Sequence, residues 1–226
     1  MGIITPVPHV TANSDSTADT VSAGTQNVAK QAKSYGRIIV ARHGKPDKDR
    51  ELGPKLNHRE YIEWWAGYER ASLKKDGQGP SKKLLDATKN APIINASIRP
   101  RSIETAQAIA NGRDVVQNEI FVEAPLPPPE WSDFWKFLPK RWNLFARISW
   151  CFGNSGGQES QVEARIRAGK AADILIAQAS TGQDAVLAAH GWFNRMMRPE
   201  FKRRGWKCRY DGGDSYWSFR IYEKLD

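Results

Sequence analysis

Apolar residues in this chain fall into short unbroken runs set between longer stretches with helical spacing. Arg37-Ile38-Ile39-Val40-Ala41, Pro92-Ile93-Ile94-Asn95-Ala96 and Ala185–Ala189 read as buried strands, and Glu119-Ile120-Phe121-Val122-Glu123 as a shorter one between them. His58–Lys75 places Tyr61, Trp64, Trp65 and Tyr68 at helical spacing, and Gly77-Gln78-Gly79-Pro80 breaks that pattern. Ser81–Asn90 predicts a second helix, and Ile103–Ala110 a third that stops at Asn111-Gly112. Glu159–Ala179 predicts a long Ala-rich helix, with Gly182 in the turn after it. Trp206–Tyr210 and Tyr216–Ile221 read as a terminal hairpin around Asp211-Gly212-Gly213-Asp214. Strands that are apolar on both faces, alternating with helices, predict an α/β fold whose mostly parallel sheet is covered on both sides.

Residues 1–34 break this pattern. They are rich in Ser, Thr, Ala, Asn and Gln, hold Pro6 and Pro8, and show no sustained periodicity. They read as a disordered or loosely attached tail, with one short helix near Thr25–Lys33, ahead of a globular domain over 35–226.

Composition sharpens the class. The 226 residues include 40% hydrophobic and 10% aromatic side chains, enough to bury a core and exclude global disorder. Two cysteines, Cys151 and Cys208, exclude a disulfide framework and a cysteine-rich zinc fold, though the sequence leaves open whether they pair. No apolar run is long enough to span a bilayer, no secretory start is visible, and Pro6 spoils a myristoylation reading of Met1-Gly2. The expectation is a soluble cytoplasmic protein. A net charge of +9 favours acidic partners, namely phosphorylated small molecules, nucleic acid or anionic lipid. No zinc-finger spacing, basic heptad helix or RNA-recognition aromatic motif supports nucleic acid, which is not expected.

In open α/β sheets chemistry sits beyond the carboxyl ends of the strands. The first strand runs into Arg42-His43-Gly44, and the second into Ser97-Ile98-Arg99-Pro100-Arg101. The run at 119–123 ends in Glu123, and the last buried strand runs into His190-Gly191. A neutral imidazole can attack phosphorus, and guanidinium groups bind phosphoryl oxygens in pairs and offset charge that develops in transfer. Nearby arginines keep an imidazole unprotonated, and a carboxyl group can give a proton to a leaving oxygen. Gly44 and Gly191 would admit close approach of an anion, and a helix opening near Arg101 adds its positive end. His58 reads as an exposed residue near a helix start, and His9 as an inert tail residue.

These residues carry a resemblance. Arg42-His43-Gly44 after an apolar strand is similar to the signature of the histidine phosphatase superfamily, the phosphoglycerate-mutase-like fold. Ser97 through Ala106 resembles that family's second block, with Ser102 where it has Ala and with Pro100 ahead of Arg101; Val186–Gly191 resembles its third. The resemblance covers about residues 37–223 and implies a three-layer αβα sandwich. It implies His43 as the phosphorylated nucleophile, with Arg42, Arg101 and His190 forming the phosphate pocket. The general acid it implies is Glu123, from a hydrophobic-x-Glu context, with Glu130 as the rival in a proline-rich loop. Gly157-Gln158-Glu159-Ser160 is similar to the family's Gly-Glu-Ser helix start with one insertion, and Arg165 is then a structural residue. No metal and no cofactor are expected.

Lys45-Pro46-Asp47 replaces the Glu and Trp-Asn pair of the mutases, and Pro46 with His190-Gly191 argues against a phytase-like member. A metal-independent phosphomonoesterase remains, hydrolysing its substrate through a phosphohistidine intermediate. The alternatives are a protein phosphohistidine phosphatase, a non-catalytic binder of a phosphorylated ligand, and a nucleic-acid-binding module. The expected partner is a phosphorylated small molecule, with a phosphoprotein and a homodimer left open. Residues 125–157 form a Trp-rich insertion in which Trp131, Trp135, Trp142 and Trp150 interleave with Lys136, Lys140, Arg141 and Arg147. It reads as a helix packed on the domain by snorkelling bases, or as a cap over the substrate or an interaction face.

Overall fold

The computed structural model describes residues 34–225 and Gly2, so the tail expected over 1–34 lies outside the described residues apart from Gly2 and Ser34. A six-stranded sheet runs in the order β3-β2-β4-β1-β6-β5. Its strands are β1 (Ile38–Arg42), β2 (Ile93–Ala96), β3 (Asp114–Gln117), β4 (Ala185–Ala189), β5 (Trp206–Asp211) and β6 (Phe219–Lys224). The pairs β3-β2, β2-β4 and β4-β1 are parallel, whereas β6 joins β1 antiparallel and β5 joins β6 antiparallel.

Pleating explains the unbroken apolar runs. Alternate residues of one strand point to opposite faces, so both faces must be apolar when helices cover both. Ile38 and Val40 pack with Leu175, Phe193, Met197 and Phe201 on one side. Ile39 and Ala41 pack with Leu84, Ala106 and Ile109 on the other. Helices α5 (Gln161–Ala179) and α6 (Gly191–Arg203) cover the first face, and α2 (Lys82–Thr88) and α3 (Pro100–Ala110) the second. The expected αβα sandwich is the observed fold.

Local sequence sets the helix ends. Asn57 caps α1 (His58–Glu69), its side chain accepting from the Glu60 amide while its own amide donates to the Glu60 carboxylate, and Ser160 and Glu163 do the same at α5. Asn111 ends α3 in the left-handed region at φ 48°, as the Asn-Gly pair predicts.

Two expectations are corrected, and one helix that the pattern did not predict is present. The third strand is Asp114–Gln117, and Glu119–Phe121 forms a 3₁₀ turn. The apolar run at 120–122 faces the core as a turn packed under α5, with Phe121 fully buried, whereas the true strand is a mostly exposed edge with little apolar signal. Glu123 therefore leaves a loop rather than a strand. Arg165 is exposed, and the structural arginine is Arg167. It forms a two-pronged pair with Glu159 at 2.7 and 2.6 Å and donates to the carbonyls of Ile120 and Val122, both at 2.8 Å. Finally, α6 follows β4 directly; its buried residues Phe193, Met197 and Phe201 recur every fourth position.

The Trp-rich insertion contains α4 (Pro139–Cys151), which packs Trp142 against Tyr61, Trp64 and Tyr68 of α1. The Trp142 indole donates to the Leu56 carbonyl at 2.6 Å. Phe134 and Phe152 stay on the surface at 84% and 89% exposure. Cys151 and Cys208 are free and exposed, and among the described residues no helix is long and apolar enough to cross a membrane. Because Trp142 is fully buried and its N–H is spoken for, Trp142→Ala is expected to cost about 3–5 kcal/mol. A urea titration followed by circular dichroism checks this; a midpoint unchanged from wild type would show that α4 does not depend on that contact.

Candidate active site

The parallel pairing of β1 with β4 brings the two histidines together. The His43 amide donates to the Ala189 carbonyl at 2.8 Å, so the residues after each strand leave side by side. Their ring centroids lie 5.2 Å apart, edge to face. Arg101, in the first turn of α3, reaches both. Its Nε lies 3.3 Å from His43 Nε2, and its Nη2 lies 3.4 Å from His190 Nδ1.

Hydrogen-bond roles fix the tautomers. The Gly44 carbonyl can only accept, so His43 Nδ1, 2.7 Å away, carries the hydrogen. Arg101 can only donate, so Nε2 of His43 carries no hydrogen and its lone pair accepts from Arg101. On His190 the same reasoning leaves Nδ1 bare, and Nε2–H donates to Ser97 Oγ at 2.9 Å. Burial holds the His43 pKa well below its ordinary value, with the charges of Arg101 and Arg42 adding to the effect. Burial followed by Arg101 does the same to His190.

Arg101 is itself only 1% exposed. Its charge is met by Glu69 Oε1 at 2.7 Å, and its Nη1 donates to the Tyr68 and Glu69 carbonyls at 3.1 and 3.0 Å. Glu69 Oε2 in turn pairs with Arg99 Nε at 2.8 Å. The C-terminus of α1 thus fixes the guanidinium between the imidazoles.

Arg42 is set from the β5–β6 loop. Its Nη1 donates to the Asp214 carbonyl, and its guanidinium lies 4.4 Å over the Tyr216 ring. The Asp214 carboxylate is pinned by Arg195, Arg198 and Arg220 at 2.7, 3.1 and 2.9 Å. Burial alone would raise its pKa, yet the Arg195 hydrogen bond and the Arg220 charge hold it down at about 2. Trp217 in the same loop adopts φ 63°, a costly conformation for a bulky residue. Its indole lies against Gly44, where a Cβ would come within 2.4 Å of Cε2. A Cβ at Gly191 would come within 3.2 Å of Arg42 Nε. The two glycines make room for protein side chains.

These groups line a cleft of about 270 Å³. His43, Arg42, Arg101 and Glu123 all face it, together with Arg50, Arg147 and Arg195. His190 is fully buried beside Arg101 and His43, and it is not among the residues lining the cleft. Glu123 Oε1 and Oε2 accept from the Phe193 and Trp192 amides at 2.8 and 3.1 Å, at the start of α6. The Ala124 amide adds a third bond at 3.0 Å. Glu130 lies elsewhere, in a surface cavity with Trp131, Trp135 and Phe145. From α4, Asn143, Leu144 and Arg147 wall the cleft, so the insertion both packs on α1 and shapes the site. Among the described residues no His, Cys, Asp and Glu cluster could hold a metal ion.

Sequence reasoning missed Arg50, Tyr216 and Asp214. They sit in loops without periodicity; the signal that could have found the last two was the Asp-Gly-Gly-Asp turn beside an aromatic pair.

The sequence matches the histidine phosphatase superfamily (branch 1) over residues 38–207. No curated protein sequence matches this chain. Several solved structures share the fold. A phosphoserine phosphatase mutant from Entamoeba histolytica, in complex with phosphoserine, is 18% identical with a TM-score of 0.53, over 82% of this chain and 89% of that one. A mycobacterial glucosyl-3-phosphoglycerate phosphatase complexed with VO3 is 18% identical with a TM-score of 0.53, over 82% and 92%. YhfR of Bacillus stearothermophilus is 17% identical with a TM-score of 0.54, over 84% and 92%.

The buried neutral histidines have a consequence for pH. A base whose folded pKa is depressed binds fewer protons folded than unfolded, so stability falls as pH drops below the unfolded value near 6.5 and keeps falling towards the depressed folded value. The urea midpoint is expected to drop between pH 7 and pH 5, and less so in His190→Gln. A midpoint flat across that range would contradict neutral burial.

Proposed function

Since the chain belongs to the histidine phosphatase superfamily, branch 1, we propose that it hydrolyses a small phosphomonoester through a phosphohistidine on His43. The observation that carries this reading is the unprotonated Nε2 of a buried neutral imidazole, lining a cleft beside Arg42 and Arg101. Nε2 attacks phosphorus, an N–P bond forms and the P–O bond to the leaving alcohol breaks. Arg42 and Arg101 carry the developing negative charge, a task that a metal would otherwise perform. Glu123, in its protonated form, gives a proton to the leaving oxygen. A water then attacks the phosphohistidine while the Glu123 carboxylate takes its proton. The N–P bond breaks, phosphate departs and the lone pair returns to Nε2. His190 supports the pocket through Arg101, and Ser97 and Ser102 orient its ring at 2.9 and 3.3 Å.

A small ester is favoured over a phosphohistidine on a protein surface, because α4 walls the cleft with Asn143, Leu144 and Arg147. The named activities of two structural neighbours, a phosphoserine and a glucosyl-3-phosphoglycerate phosphatase, support the same substrate class. Glu123 is favoured over Glu130 as the acid because it faces the cleft.

His43→Ala is expected to keep its circular dichroism and lose nearly all hydrolysis of p-nitrophenyl phosphate. Wild type, quenched during turnover, should yield an acid-labile, base-stable phosphoprotein. A fully active His43→Ala, or label trapped on another residue, would end this mechanism.

Glu123→Gln is expected to slow transfer of the phosphoryl group to the enzyme mainly from alkyl phosphates. Nitrophenolate leaves with little need of a proton, so the first stoichiometric release of nitrophenolate from p-nitrophenyl phosphate should be nearly spared, while steady turnover slows at hydrolysis of the phosphohistidine. A Glu130→Gln variant showing that leaving-group dependence instead would move the acid to the proline-rich loop. Chelator should leave activity intact, and loss restored only by a divalent ion would contradict the arginine-based charge balance.

A further inference from the structure

Five arginines line the cleft, and four have an evident anchor. Arg101 is held by Glu69, and Arg195 by Asp214. Arg42 donates to the Asp214 carbonyl, and Arg147 donates to the Pro125 and Ala124 carbonyls, both at 3.2 Å. Arg50 differs. It is part-buried on the cleft wall, and among the described residues no carboxylate forms an ion pair with its guanidinium. The neighbouring acids are committed elsewhere: Asp49 pairs with Lys45 at 2.9 Å, and Glu51 with Lys140 at 3.1 Å.

What Arg50 does have is Tyr216. Its guanidinium carbon lies 5.9 Å from the centre of that ring, within reach of its π face. Arg42 lies 4.4 Å over the same ring, and His43 lies 5.7 Å from it. One tyrosine therefore gathers two guanidinium groups beside the nucleophile. The backbone is fixed too, because the Arg50 carbonyl accepts from the Lys140 amide at 3.0 Å, at the start of α4. A side chain held in place, turned into a cleft and lacking an anion is a site prepared for one.

We propose that Arg50 is a third guanidinium of the oxyanion pocket, binding a phosphoryl oxygen of the substrate alongside Arg42 and Arg101. The proposal rests on the phosphatase reading and deepens it. The residue lies within electrostatic reach of the nucleophile, since its charge is among those that depress the His43 imidazole. Its partner Tyr216 comes from the β5–β6 loop and its backbone anchor from the start of α4, so two separate elements place it on the cleft wall.

The test is equilibrium binding of inorganic phosphate and of orthovanadate by calorimetry, which needs no turnover. Arg50→Gln is expected to bind both roughly ten- to a hundredfold more weakly than wild type, the range of one lost charge-assisted hydrogen bond. Arg50→Lys should recover part of that loss, which a merely structural role would not produce, and thermal midpoints should be unchanged. If Arg50→Gln does not fold, Tyr216→Leu, which removes the ring beside both Arg50 and Arg42, should weaken binding in the same direction. Wild type that binds phosphate normally, with Arg50→Gln or Tyr216→Leu binding equally well, overturns the proposal alone. Wild type that binds neither anion overturns the phosphatase reading and this proposal with it.

Discussion

The site depends on one buried cation. Arg101 is almost wholly removed from water, and an isolated charge so placed would be very costly. Glu69 and two α1 carbonyls offset that cost and fix the direction of the fork. The side that remains faces His43 and His190, which can approach a cation only as neutral rings. Burial, reinforced by the Arg101 charge, keeps both imidazoles neutral, and Arg101 fixes how the two rings are turned. Removing Glu69 would leave the charge uncompensated and loosen three residues at once. The pocket is therefore a consequence of how α1 ends against the start of α3.

The second constraint comes from the β5–β6 loop. Trp217 in a left-handed conformation, its indole against Gly44, is strain that the surrounding contacts hold. The loop is tied down by the Arg42 amide bonding the Ser218 carbonyl at 2.8 Å and by the three arginines on Asp214. This fixes the Asp214 carbonyl and the Tyr216 ring, and through them Arg42. The antiparallel addition of β6 to an otherwise parallel sheet is what delivers the loop to β1.

The parts of this arrangement that were legible in the sequence are those fixed by strand ends. Arg42-His43-Gly44 and His190-Gly191 follow apolar runs that can only be interior strands, and Arg101 opens a helix marked by Pro100. The edge strand Asp114–Gln117 was not legible, because an exposed edge needs no apolar pattern, while the buried turn Ile120-Phe121-Val122 imitates one. Helix α6 hid behind Pro199 and its four basic residues, although Phe193, Met197 and Phe201 mark its inner face. Arg50, Asp214 and Tyr216 act through loop geometry, which no local period records. The tail at 1–34 is a reading of composition alone.

Misplacing that strand had a functional cost, because it concealed how Glu123 is held. The carboxylate is the anionic cap of α6, accepting from the Trp192 and Phe193 amides in the first turn, where the helix end is positive. The residue just before that turn is His190, the N-cap of the same helix. The loop bearing Glu123 is pinned by Arg167 at Ile120 and Val122, and by Arg147 at Ala124 and Pro125. Acid and histidine are therefore registered to each other through a single helix terminus. A Glu123 side chain that left this position would release amides two and three residues after His190, so the loop at 120–125 and the end of β4 hold their places together.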